Sequence, residues 1–241
     1  MNIFNRNLGF TQQETTMPLA KTYLAGVFMW MFLALAITAA TSWLFASSPN
    51  LMTILINPET GSMSIAGWVA MLAPLGLVLW MSAGFQRMSA STMVLIFIVF
   101  SILMGISLSF IFLAYTGASI AKTFLITSGM FGSMAVLGYT TKTDLTKFGS
   151  IMYMGLIGII IASVINMFMG SSTLDYIISF GGVLIFTGLT AYDVQKLKRI
   201  GSQMTTENET TRKYTIMGAL TLYLDFINLF LFLLRLFGSR K

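Results

Sequence analysis

An aspartate lies inside the last apolar stretch of this chain, Gly218–Gly238, which reads GALTLYLDFINLFLFLLRLFG. No other feature restricts the fold as much. The stretch is long enough to cross a bilayer, because ~30 Å of hydrocarbon takes roughly 20 helical residues at 1.5 Å each. A carboxylate near the centre of that layer costs roughly 2.5–3.5 kcal/mol on insertion scales. Asp225 therefore has to be shielded from lipid. Gly218, Thr221, Asp225 and Asn228 are spaced three, four and three, which puts them on one helix face. Tyr223, Ile227, Phe230 and Leu234 make the opposite face aliphatic and aromatic. A polar stripe on an apolar helix belongs against protein or a water-filled cavity. The expected fold is an all-α membrane bundle whose other helices wrap this last one.

Composition agrees. The mean hydropathy is +0.83. Only 9% of the 241 residues are charged, against about 25% in a soluble domain. No polar stretch is long enough for a second domain. The net charge of +6 is read loop by loop as topology, not as a nucleic-acid footprint. The chain has no cysteine and no histidine. Disulfides and thiolate chemistry are excluded, and zinc sites and Ser-His or Cys-His catalysis lose their usual ligand or base. No enzymatic activity and no cofactor are expected. The first apolar segment is too long for a signal-peptide core and is expected to stay in the mature protein.

Seven apolar segments follow one another: Tyr23–Ala46, Ile65–Gly84, Thr92–Tyr115, Thr123–Thr140, Ser150–Gly170, Tyr176–Gln195 and Thr215–Phe237. Residues 1–21 form a short tail and 22–238 a single seven-helix transmembrane domain. Two connections are longer. Ser47–Ser64 carries turn chemistry, and Lys196–Tyr214 reads as a polar loop. Arg6, Lys21, Arg87, Lys142, Lys147, Lys196, Lys198, Arg199, Arg212 and Lys213 fall on the side of the N-terminal tail. Lys122, Arg235, Arg240 and Lys241 fall on the other. Ten against four predicts a cytoplasmic N-terminus and an external C-terminus, in keeping with an odd number of spans. Small residues recur along several segments: Ser101-Gly105-Ser109, Gly129, Gly132, Ala135 and Gly138, and Gly158-Ala162 with Asn166 a turn later. They are expected to be seams where helix backbones approach closely.

Six of the eight acids, Glu14, Glu59, Asp144, Asp175, Glu207 and Glu209, fall in tails, loops or helix ends. Only Asp193 and Asp225 lie within apolar segments. Asp193 shares a small and polar face with Ser179, Gly182, Phe186 and Thr190. It can pair simply with Lys196, three residues on, or it can meet Asp225 on the next, antiparallel helix. Two carboxyls in contact cannot both ionise cheaply, and one shared proton removes much of the repulsion. Axial counting opposes the second arrangement. Asp193 is about one turn from the end of its segment, whereas Asp225 is about three turns past Lys213. The acids meet only if the seventh helix starts well out in the cytoplasm or the sixth runs deeper than drawn.

Three stretches, GLTAYDVQ (Gly188–Gln195), GYTTKTDL (Gly138–Leu145) and LTLYLDFINLF (Leu220–Phe230), resemble the Bax inhibitor-1 family, specifically its bacterial inner-membrane members. The resemblance covers essentially the whole membrane region. It implies two three-helix layers around a central C-terminal helix. It also implies that Asp193 and Asp225 form a hydrogen-bonded pair, a pH sensor gating a calcium leak. An arginine at the second-to-third helix turn, here Arg87, would latch onto that pair. Eukaryotic members carry a highly charged C-terminal tail; this chain ends in Ser239-Arg240-Lys241, so tail-dependent behaviour is not expected to carry over.

The leading expectation is a pH-sensitive leak for Ca²⁺ or other cations. Asp193 and Asp225 would be sensor and weak metal ligands, and Thr190, Thr221 and Asn228 a supporting polar face. Ca²⁺ takes six to eight oxygens, so such a site would be weak. The alternative is a non-catalytic regulator that binds a membrane protease or stress-response proteins. Liposomes separate the two, because a regulator alone passes no ion. An intramembrane aspartyl protease fits less well. Tyr192-Asp193 matches half of its pattern, but Leu222-Tyr223-Leu224-Asp225 lacks the glycines that open the backbone to substrate. A retinal sensor lacks its lysine on the seventh helix.

Overall fold

The computed structural model describes residues 8–241, with side chains from Ala20 onward. Arg6 and the first seven residues of the expected tail, and the side chain of Glu14, lie outside the described residues. The helices are α1 (Leu8–Ser47), α2 (Pro49–Leu55), α3 (Ile65–Gly84), α4 (Ala90–Leu108), α5 (Ile111–Ala114), α6 (Gly117–Thr140), α7 (Thr146–Met169), α8 (Ser172–Ser202) and α9 (Glu209–Phe237). Among the described residues, seven spans are long and apolar enough to cross a membrane. The third is α4 continued through α5. The break between them falls at Ser109 and Phe110, both in helical conformation, and the Ser109 hydroxyl donates back to the Ile106 carbonyl at 2.7 Å.

Local chemistry sets the helix starts. Ser64, Ser89, Thr116, Ser171 and Asn208 each accept a main-chain N–H of the first turn they precede. Capped by Thr116, α6 starts at Gly117, six residues before the expected Thr123. Pro49 starts α2 inside the connection expected to be only turns.

The expected polar loop 196–214 shrinks to 203–208, because α8 runs on to Ser202 and α9 begins at Glu209. The reason is that helix does not stop where apolarity stops. The LKR run of α8 and the capped ETTRKYT start of α9 form helix as readily outside the hydrocarbon as inside it. The two helices lengthen by nearly the same amount, so Asp193 still lies nine residues from the end of α8 and Asp225 sixteen from the start of α9. The acids meet because the two helix ends are staggered, with α9 starting further out than α8 ends.

α9 is the axis of the molecule. One layer, α1, α3 and α4, lies on one side and the other, α6, α7 and α8, on the other. α1, α4, α6 and α8 pack directly on α9, while α3 leans on α4 and α7 on α8. Both faces of α9 are buried: Tyr223, Ile227, Phe230 and Leu234 as well as Asp225. Tyr223 stands edge-on to Phe97 and Phe100. Its hydroxyl lies 2.8 Å from Thr38 Oγ1, which donates to the Ser101 carbonyl at 2.9 Å. Thr38 has one proton to give, so Tyr223 is the donor in its contact, and the chain of bonds ties α9 to α1 and α4.

The small-residue seams divide. A Cβ on Gly105 would lie 2.7 Å from both the Thr38 carbonyl and Thr41 Cβ, so α1 and α4 touch there. Gly158, Gly129 and Gly132 have open space where a Cβ would go. The expected seam on the fifth span is therefore misplaced. α7 packs through Gly149 and Gly155, against Tyr192 and Ile185 of α8, and turns Gly158 outward.

Candidate functional site

The site forms where α8 and α9 cross beneath the end of the bundle that carries the α3–α4, α6–α7 and α8–α9 turns. This is called the basic end below. Asp193 and Asp225 are brought into side-chain hydrogen-bond contact with each other. Two carboxyl groups can share a hydrogen bond only if one of them holds a proton. Asp193 is 1% exposed and Asp225 5%. Asp225 Oδ2 has no partner among the described residues. Three titratable groups surround the pair. Tyr153 of α7 places its hydroxyl 3.5 Å from both oxygens of Asp193, long for a hydrogen bond and symmetric over the carboxyl. Tyr192 stands edge-on to the Tyr153 ring at 6.0 Å. Lys196 makes no ion pair with Asp193. Its ammonium lies 6.0 Å over the Tyr192 ring instead, close enough to act on Asp193 through space.

The expected supporting residues do not turn toward the acids. Thr190 donates to the Phe186 carbonyl at 2.7 Å, Thr221 to Met217 at 3.0 Å, and Asn228 to Leu224 at 2.8 Å. Each satisfies its own helix, the usual recourse of a polar side chain with no water nearby. Arg87 is exposed in the α3–α4 turn and forms no ion pair among the described residues. It shares a shallow hollow with Glu209 and Lys213.

A second polar cluster, absent from the sequence expectations, lies half a turn further along α8. Gln195 accepts the Leu145 N–H at 2.9 Å and donates to the Thr143 carbonyl at 2.8 Å. Arg199 meets Asp144 at 3.0 Å, and Lys198 donates to the Tyr139 carbonyl at 2.7 Å. Asp144 also accepts the Thr146 hydroxyl at 2.6 Å and its N–H at 2.9 Å. The Thr146 hydroxyl and N–H, followed by Arg199, hold the Asp144 carboxyl down at about 2. The two stretches GYTTKTDL and AYDVQKLKR are thus clasped together. Gln195 ends a quoted stretch, so a signal for it existed. Nothing local marks Tyr153, which only the packing of α7 on α8 delivers. At the opposite end Arg235 of α9 pairs with Asp175 of α8 at 3.3 Å.

Comparison with known proteins finds relatives along nearly the whole chain. The family model described as "Inhibitor of apoptosis-promoting Bax1" matches residues 20–241. The chain is 48% identical over 222 residues to a protein of Escherichia coli named inner membrane protein YbhL, covering 92% of this chain and 93% of that one. An uncharacterised protein of Borreliella burgdorferi is 42% identical, over 97% of this chain and 99% of its own length. An uncharacterised membrane protein of Streptococcus pyogenes is 34% identical, over 97% and 98%.

Proposed function

The chain belongs to the Bax inhibitor-1 family, and from that premise we propose that it is a non-catalytic, pH-sensitive leak for Ca²⁺ or other cations. The observation that carries the reading is the buried Asp193–Asp225 contact with one carboxyl oxygen unpartnered. With one proton between them the carboxyls hold α8 to α9. When that proton leaves, two adjacent anions remain in a buried site, and their repulsion drives the helices apart at the basic end unless a cation enters. A permeating cation is the natural substitute for the proton. No third acid joins the pair among the described residues. Ca²⁺ there would take most of its oxygens from water and main chain, so it would bind weakly and pass on. Arg87 takes no part in this closed arrangement.

The name of the Escherichia coli relative, together with the basic end, supports placement in a bacterial inner membrane with the basic end cytoplasmic and the C-terminus outside. Reporter fusions test this. Fusions after Lys142 and Gln203 should read as cytoplasmic and a C-terminal fusion as external; a cytoplasmic C-terminus overturns the assignment. Purified protein in Ca²⁺-loaded liposomes tests the leak. Flux should rise as pH is raised through the loss of the shared proton. Liposomes that pass no ion at any pH would refute the leak and leave the regulator of other membrane proteins.

A further inference from the structure

At the basic end, between the starts of the first, third and seventh spans, lies a cavity of about 640 Å³. It is graded from polar to apolar. Thr22, Ser91, Thr206, Glu207 and Arg212 line its mouth, and Trp30, Val94 and Ile216 line its floor, with the exposed Met29 at its edge. From Thr22 to Trp30 along α1 is about 12 Å at the helical rise. The cavity therefore descends from the level where three spans begin into the hydrocarbon layer, as a lipid does. A shallower hollow of about 520 Å³ opens beside it and shares Ala90, Ser91, Glu207 and Arg212.

The charges at the mouth are of both signs. Glu207 and Arg212 are exposed, and neither side chain forms an ion pair or hydrogen bond among the described residues. Glu209, by contrast, is committed, accepting the Ala90 N–H at 3.1 Å. An unpaired guanidinium suits a phosphate, which it can grip with two parallel N–H donors. An unpaired carboxylate a few residues away suits an ammonium with N–H to donate. Apolar walls and an indole below suit the glycerol and the first acyl carbons.

We propose that this cavity binds a phospholipid with a primary-ammonium headgroup, of the phosphatidylethanolamine type, drawn from the surrounding leaflet. Its phosphate lies against Arg212, its ammonium donates to Glu207, and its acyl chains start down along Trp30 and Met29. A headgroup without a cation leaves Glu207 facing a phosphate. A quaternary ammonium has no N–H for Glu207. Charge complementarity therefore selects among lipids that share the same tails. The site is separate from the acid pair and does not depend on the leak.

The test uses the full chain, delipidated in detergent, with phosphatidylethanolamine, phosphatidylcholine and phosphatidylglycerol of identical acyl chains. Binding is read by native mass spectrometry and by thermal unfolding. Phosphatidylethanolamine should bind about tenfold more tightly than the other two, the scale of one charge-assisted hydrogen bond. Glu207→Gln should erase the preference over phosphatidylcholine while leaving the unfolding temperature of the lipid-free protein unchanged. Arg212→Gln should weaken all three. Ala25→Trp, at an exposed lining position, should fill the cavity and remove specific binding of each. Equal binding of the three lipids to the wild type overturns the proposal, as does a preference that survives Glu207→Gln or Ala25→Trp.

Discussion

Two aspartates, Asp225 and Asp144, are both held against the last turns of α8, and they are treated in opposite ways. Asp144 is exposed and fully partnered by Thr146 and Arg199. Asp225 is buried, touches another acid, and keeps an oxygen with no partner. Water can satisfy Asp144 whenever its partners let go, so its contacts decide position and add little energy. Nothing equivalent is available to Asp225 if the shared proton is lost. On the reading proposed above, burial with an unpartnered oxygen is what lets one of the two switch, while full satisfaction at the surface makes the other a fastening.

The largest expected effect strikes the buried member. Asp193→Asn and Asp225→Asn should each abolish most of the pH dependence of liposome flux, because a carboxamide cannot exchange the shared proton. The double variant should differ little from either single, as members of one unit do. An Asp225→Asn protein that keeps the full wild-type pH profile would remove the distinction drawn here.

Packing offers the next contrast. Gly105→Leu forces α1 from α4, and overpacking of this kind costs typically 1–3 kcal/mol, about that or more here. Gly158→Leu meets open space and should melt in detergent like the wild type. Equal melting of the two would mean that α4 and α7 are not placed as described.

The fastening itself should respond more gently. Gln195→Ala removes two hydrogen bonds from the α6–α7 turn, each worth about 0.5–1.5 kcal/mol net. Hydrogen exchange of residues 141–146 should quicken, with only a small fall in melting temperature. Asp144→Asn should do least. The folded-state pKa of Asp144 is depressed, so its contribution is present above the ordinary carboxylate range and is lost as pH falls toward about 2. Melting of Asp144→Asn and wild type should coincide at neutral pH within a small offset and converge in strong acid. A large offset at neutral pH would show the clasp to be structural after all.

Much of this molecule was legible before any coordinates. Hydropathy over about 20 residues is a local quantity, and it located seven spans whose identity did not change. A lone acid in an apolar run is local too, and it pointed to a shielded central helix and to Asp193 as its possible counterpart. Partnership across helices is not local. Whether Asp193 and Asp225 are level depends on how the ends of α8 and α9 are staggered beyond the bilayer, and apolarity carries no information there. Helix continuation past Gln195 and before Thr215 rests on capping and helix propensity, signals of a kcal/mol or less each. The same holds for Gly105 and Gly158. As sequence they are alike, and only the neighbour that arrives, or fails to arrive, gives one a role. The placement of Tyr153 and the open cavity beside Arg212 exist through tertiary structure alone, because each is defined by groups far apart in the chain that packing brings within a few ångströms.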